Sequence, residues 1–170
     1  MAKEKFSVCS LVNNDGCFDL QFRKDTRHER TNSPTYYRWK AQFIVTNPKH
    51  NIKILEKIKK EMACGKINIS KEQARFSVQN ISEIADLVVP YFKKNCLADK
   101  KKKDFELWSK GVEVLRKNKG KVLASWKKSE INQLIEIKKS SAKYKIRPRE
   151  LKWMDMAKAF SKTTFKSPPP

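Results

Sequence analysis

Val8-Cys9-Ser10-Leu11-Val12-Asn13-Asn14-Asp15-Gly16-Cys17-Phe18 decides how the rest of the chain is read. It has the pattern of a short helix broken at Gly16 and followed at once by an alternating strand, Phe18-Asp19-Leu20-Gln21-Phe22-Arg23. Ser7, Ser10 and Asn14 follow an i, i+3, i+7 spacing and share one helical face, which carries only small or polar side chains. Val8, Leu11 and Val12 supply the apolar side. A stripe of small residues lets two helix backbones approach closely, so the spacing predicts a helix–helix contact. Asp15 falls in the last turn, beside a glycine that allows a sharp change of direction.

Beyond this stretch, Lys24 to Pro34 is charged and rich in turn residues and reads as a mobile hairpin loop. The next strand, Thr35 to Thr46, sets Tyr37, Trp39, Ala41, Phe43 and Val45 against Tyr36, Arg38, Lys40, Gln42 and Ile44. Such alternation belongs to an antiparallel sheet with one solvated face. Pro48 suits a first helical turn, and Ile52, Leu55, Ile58 and Met62 mark an amphipathic helix ending near Gly65. Lys66–Ser70 and Arg75–Gln79 form a second hairpin about Lys71-Glu72. Ser82 is the expected N-cap of a helix through Ile84, Leu87, Val88 and Tyr91, which Pro90 should kink or restart. Long helices are expected from Lys100 and from Ser129, and a short one over Arg147 to Phe160. The order of helix, two strands, helix, two strands and helix defines an α+β core over residues 1–120. Residues 121–161 extend it with C-terminal helices, and 162–170 form a Pro-rich tail without structure of its own.

Composition narrows the partners. At 170 residues the chain is one domain, long enough to bury roughly 70% of its unfolded surface. Its 39 basic against 18 acidic residues give a net charge of +21, which repels itself unless a polyanion is near. Nucleic acid is therefore the default partner. No stretch approaches 18 apolar residues, so no membrane span is expected. Met1-Ala2-Lys3-Glu4-Lys5 leads directly into the first helix without an apolar signal region, which fits cytoplasmic synthesis or synthesis inside an organelle. Cys9, Cys17, Cys64 and Cys96 lie far apart and His28 and His50 are isolated, a distribution that argues for reduced thiols and against structural zinc.

The opening stretch resembles the signature helix of the LAGLIDADG homing endonucleases, with Asp15-Gly16 in the place of the final acid and glycine. Thr46-Asn47-Pro48, and Leu97-Ala98-Asp99-Lys100-Lys101 ahead of Asp104-Phe105, resemble the family in order and spacing. Two features depart from it: the opening is Val8-Cys9-Ser10, and Asn13 replaces the first acid. The resemblance implies an αββαββα repeat with a four-stranded antiparallel saddle sheet. A single motif per chain further implies a symmetric homodimer through the Ser7/Ser10/Asn14 face. It implies that two copies of Asp15, with the carbonyl of Asn14, hold Mg²⁺ or another divalent metal at the scissile phosphates. It also implies that Asn47 positions water, that Lys100 or Lys101 approaches the cleavage site, and that the protein works in a mitochondrion or chloroplast.

Alternation alone gives the binding surface. Gln21, Arg23, Arg38, Lys40, Gln42, Lys66, Asn68, Ser70, Arg75 and Ser77 fall on the polar side of the strands. Arg and Lys suit guanine edges, Asn and Gln suit adenine, and a β-ribbon can lie in a major groove. The leading expectation is a site-specific endonuclease cutting a long, nearly palindromic double-stranded DNA. The alternative is an inactive member that binds structured RNA, as an intron maturase or a recruited ribosomal or ribonucleoprotein component. A non-specific basic architectural protein stands third, disfavoured by the ordered alternation.

Overall fold

The computed structural model describes residues 7–26, 35–95, 97–145 and 157–159. Helix α1 (Val8–Asp15) starts at Ser7, whose hydroxyl accepts from the Ser10 amide at 3.4 Å. It ends where Gly16 enters an extended conformation, φ −81°, ψ 148°. The glycine is therefore not needed for a left-handed turn. A Cβ there would sit 2.6 Å from Val12 Cγ1 and 2.7 Å from the Val12 carbonyl oxygen, so only glycine lets the chain leave the helix so closely.

Strand β1 (Gly16–Thr26) pairs antiparallel with β2 (Thr35–Pro48) along its full length, Gly16 opposite Val45 and Thr26 opposite Thr35. Pro48 closes β2 rather than opening a helix: its extended ψ of 145° leads into a 3₁₀ turn at Lys49–Asn51, and α2 (Ile52–Met62) begins only afterwards. Ala63, in the left-handed conformation at φ 57°, ends α2 ahead of Gly65. Strands β3 (Lys66–Ile69) and β4 (Gln73–Val78) complete an antiparallel sheet of order β1-β2-β4-β3.

Asn80, not Ser82, caps α3 (Ile81–Glu83), its Oδ1 accepting from the amides of Ser82 (2.9 Å) and Glu83 (3.3 Å). Ser82 is left to accept from Lys119 Nζ at 2.7 Å. A π turn at Ile84–Val88 links α3 to α4 (Val89–Lys94). The widened turn accommodates Pro90, which lacks an amide proton and would crowd a regular α-helical turn.

Helix α5 (Asp99–Lys117) and helix α6 (Lys128–Ser141) follow. The expected helix over Arg147 to Phe160 is described only at its helical residues 157–159; the rest of it, the tail and residues 27–34 lie outside the described residues. Lys24, Asp25 and Thr26, expected in the loop from Lys24 to Pro34, belong to β1 because they pair with Tyr37, Tyr36 and Thr35. No described helix is long and apolar enough to cross a membrane.

The core lies between the apolar sheet face and the helices. Phe18 is its centre, with ring centroids 5.3 Å from Phe43, 5.4 Å from Phe92, 5.3 Å from Phe105 and 5.0 Å from Trp108. Ring pairs at this spacing add about 0.5–1.5 kcal/mol each beyond their burial. Because β1 is an edge strand, its outward carbonyls need partners. Gly16 O accepts from Lys101 Nζ (2.7 Å) and Phe18 O from Lys145 Nζ (2.7 Å); Asp19 O, on the alternate side, accepts from the Trp108 indole (3.0 Å). The α+β architecture and the antiparallel four-stranded sheet read from the sequence are those observed.

Candidate functional site

The junction of α1 and β1 fixes Asp15. The apolar side of α1, with Val8 and Val12 buried, seats the helix on the sheet. Ser7, Ser10, Asn14 and Asp15 remain exposed on its outer side. Asn47, near the end of β2, donates from Nδ2 to Asp15 Oδ2 at 3.3 Å. Asn51, in the 3₁₀ turn, donates to Asn47 Oδ1 at 3.3 Å. The carboxylate is thus held by a relay of two amides. The i, i+4 spacing of Asn47 and Asn51 was the only available sign of the second amide, which sequence reading passed over.

Lys101 and Lys100, both candidates, part company. Lys101 is half-buried with its ammonium on the Gly16 carbonyl, one residue from Asp15, while Lys100 is exposed. Burial lowers the Lys101 pKa from its ordinary value, and the nearby Asp104 charge opposes this. Asp104 is itself buried and pairs with Lys145 at 3.1 Å. Its carboxyl is held above its ordinary value by burial, against the pull of Lys145. Asn13, in the place of the signature's first acid, and its neighbour Asn14 have local duties. Asn13 Oδ1 accepts from the Ala98 amide ahead of α5 (2.9 Å), and Asn14 Nδ2 donates to the Ser10 carbonyl (3.3 Å).

The sheet's polar face is less uniform than alternation implied. Arg23, Arg38, Lys66, Asn68 and Ser70 are exposed, and Lys40, Arg75 and Gln21 are half-exposed. Gln42 and Ser77 are buried at 5%. Asp19, which alternation puts on the same side as Gln21 and Arg23, is buried at 3% and gathers the surrounding polar groups. Gln21 and Gln42 both donate to its Oδ2, the latter at 2.9 Å, and Lys138 of α6 lies 3.8 Å from Oδ1. Those two amides serve a buried carboxylate, as a buried charge requires. Ser70 closes the β3–β4 turn against Gln73. The exposed remainder brings Arg23 opposite Arg38 and Asn68 opposite Arg75 in register.

Among the described residues no group of three or more His, Cys, Asp or Glu is close enough to hold a metal ion. Asp15 offers an exposed carboxylate whose Oδ2 takes a single hydrogen bond, from Asn47. It is a hard oxygen donor of the kind Mg²⁺ or Ca²⁺ accepts, but one chain supplies only part of a ligand set.

Comparison with known proteins places this geometry. The sequence profile described as LAGLIDADG endonuclease matches residues 11–112. A curated protein of Mycosarcoma maydis described as "Probable intron-encoded DNA endonuclease 1" is 26% identical over 101 residues, covering 59% of this chain and 34% of that protein. Among solved structures, I-SmaMI bound to uncleaved DNA target in the presence of calcium ions superposes over 96% of this chain and 50% of its own, with 18% identity and a TM-score of 0.68. The homing endonuclease I-TnaI matches over 90% of this chain and 92% of its own, with 18% identity and a TM-score of 0.63. The chain thus spans about a third of the curated relative and half of I-SmaMI.

Proposed function

Because the chain belongs to the LAGLIDADG endonuclease family, we propose that it is a site-specific DNA endonuclease acting as a homodimer. The carrying observation is Asp15: an exposed carboxylate at the end of a helix, oriented by Asn47 and beside the Lys101 ammonium on Gly16. The exposed Ser7, Ser10 and Asn14 side of α1 is free of bulky apolar groups, so a second copy can pack there and bring two Asp15 carboxylates together.

Two Asp15 carboxylates and the Asn14 carbonyl, with phosphate oxygens of the DNA, would hold divalent metal. When bound, such an ion activates water and stabilises the leaving oxygen. The chain's own residues do the rest. Asn47 and Asn51 fix the carboxylate orientation. Lys101 adds positive charge at the junction where a phosphate would lie. Arg23, Arg38, Lys40, Lys66, Asn68 and Arg75 meet the duplex from the sheet. Lys100, exposed at the start of α5, attracts the backbone.

The test is metal-dependent nicking of DNA carrying the native target. Asp15→Asn should bind the target and lose cleavage by on the order of a hundredfold or more. Tight duplex binding without cutting in any divalent metal would overturn the reading. It would favour instead an inactive RNA-binding member, for which Asn14 on the packing face of α1 is the specific support. Preference for a structured RNA over duplex DNA by a monomer would establish that second reading.

A further inference from the structure

Strand β2 is longer than its second neighbour. It pairs with β1 throughout, but β4 meets it only from Phe43 to Pro48. From Thr35 to Gln42 its other edge therefore has no strand partner among the described residues. A cavity of about 480 Å³ opens on this edge, between the turn that leaves β4 and the end of α5. That volume lies within the range of small-ligand sites.

Its lining combines three chemistries. Arg38 and Lys40 come from β2, and Lys119 and Lys121 from the turn after α5. Among the described residues that line the cleft, none carries a carboxylate. Trp126 provides a half-buried aromatic surface, anchored by its indole donating to the Lys121 carbonyl at 3.4 Å. Gln79 accepts from Lys40 at 2.7 Å, which leaves its amide nitrogen as a donor toward a ligand. Trp39, also in the lining, has a buried indole N–H that finds no acceptor among the described residues. Cations, an indole plane and an amide together are the equipment that binds one nucleotide: phosphate, base face and base edge.

Arg38 and Lys40 also belong to the polar sheet face, so the cleft continues the surface proposed for nucleic acid. A paired base is stacked between neighbours and cannot enter it. We infer that the cleft takes a single unpaired nucleotide of the nucleic acid lying on the sheet, its base stacked on Trp126 and its phosphate between Lys119 and Lys121. This rests on the sheet being the nucleic-acid surface, as proposed above.

Matched duplexes test it, one fully paired and others carrying a single bulged 2-aminopurine at successive positions. The wild-type chain should bind one bulged duplex about tenfold more tightly than the paired one and quench its fluorescence, as stacking on an indole does. Trp126→Ala should remove the preference and the quenching while holding the paired duplex within about twofold, and Trp126→Phe should keep the preference. Equal affinity and no quenching at every position overturn the inference, with or without a folded variant, since that readout needs only the wild-type chain. Displacement of the bulged duplex alone by an acidic peptide would also overturn it, assigning the free edge to a protein strand. Equal binding of all duplexes removes the cleft and leaves the sheet reading standing. Binding of the bulged duplex alone removes the sheet reading and the inference with it.

Discussion

Asp15 and its neighbours show how much one position can be asked to do. Asn47→Ala leaves the Asp15 carboxylate without its orienting amide, and the expected loss in cleavage is about 10–100-fold with target affinity little changed. Single-turnover kinetics separates the two. Gly16→Ala is expected to destabilise by about 1–3 kcal/mol, because the added methyl meets the Val12 carbonyl oxygen and Cα as well as its Cγ1, and the backbone atoms cannot swing aside. The urea midpoint measures it. An unchanged midpoint would mean α1 can shift without penalty. At this scale, of the residues singled out around the Asp-Gly break, the structure brings Asn47 onto Asp15 and Lys101 onto Gly16, and leaves Lys100 apart. The sequence was silent about Asp19. Strand alternation assigns that residue to the wet face, and only a helix arriving from residues 128–141 shows it to be buried beside Lys138.

Elements were legible to the extent that local rules decide them. Periodicity located α2, α5 and α6 and both hairpins, but their ends depend on competition between nearby groups. Asn80 outcompetes Ser82 as a cap because its longer side chain reaches two amides at once. Pro90 is absorbed by a π turn that no propensity scale announces. Gly111, inside α5, faces Leu20 Cδ2 at 3.4 Å and Leu134 Cδ2 at 3.6 Å from where a methyl would stand, ordinary contact distances. Gly111→Ala should therefore raise stability by about 0.5–1 kcal/mol, read as a higher thermal midpoint.

Two acids give the helices opposite pH dependence. Burial holds Asp104 above its ordinary value, so its contribution is full at low pH and is lost as pH rises through the raised native value. Glu130 accepts from Lys117 at 3.0 Å and from Asn118 and is held below its ordinary value. Its contribution is present above the ordinary carboxylate range and is lost as pH falls through the lowered native value. Asp104→Asn should flatten the stability profile above the ordinary carboxylate range, and Glu130→Gln should flatten it below. Urea midpoints across pH would show neither change if these groups titrate as they do in the unfolded chain.

For the whole molecule, charge dominates. On the proposed function, a net +21 on 170 residues makes duplex binding a matter of counterion release. Affinity for any duplex should fall by about a thousandfold or more between 50 and 200 mM salt if six or more phosphates are engaged. A shallow salt slope would mean that most of the lysines face away from the bound strand. Fold class was legible at this scale because the α-β-β-α-β-β order admits few antiparallel arrangements. The way the C-terminal helices return to β1 was not, since nothing local in α6 points to a strand more than a hundred residues earlier.

That return has a consequence for the chain's colloidal life. Two ammonium groups stopper the rim of β1, and one of them, Lys145, arrives only after α6. A version ending before Lys128 would unstopper one carbonyl and uncover the charged Asp19 pocket, offering neighbouring copies a ladder to climb. Such a shortened chain should form thioflavin-positive fibrils or precipitate, where the full-length chain stays dispersed.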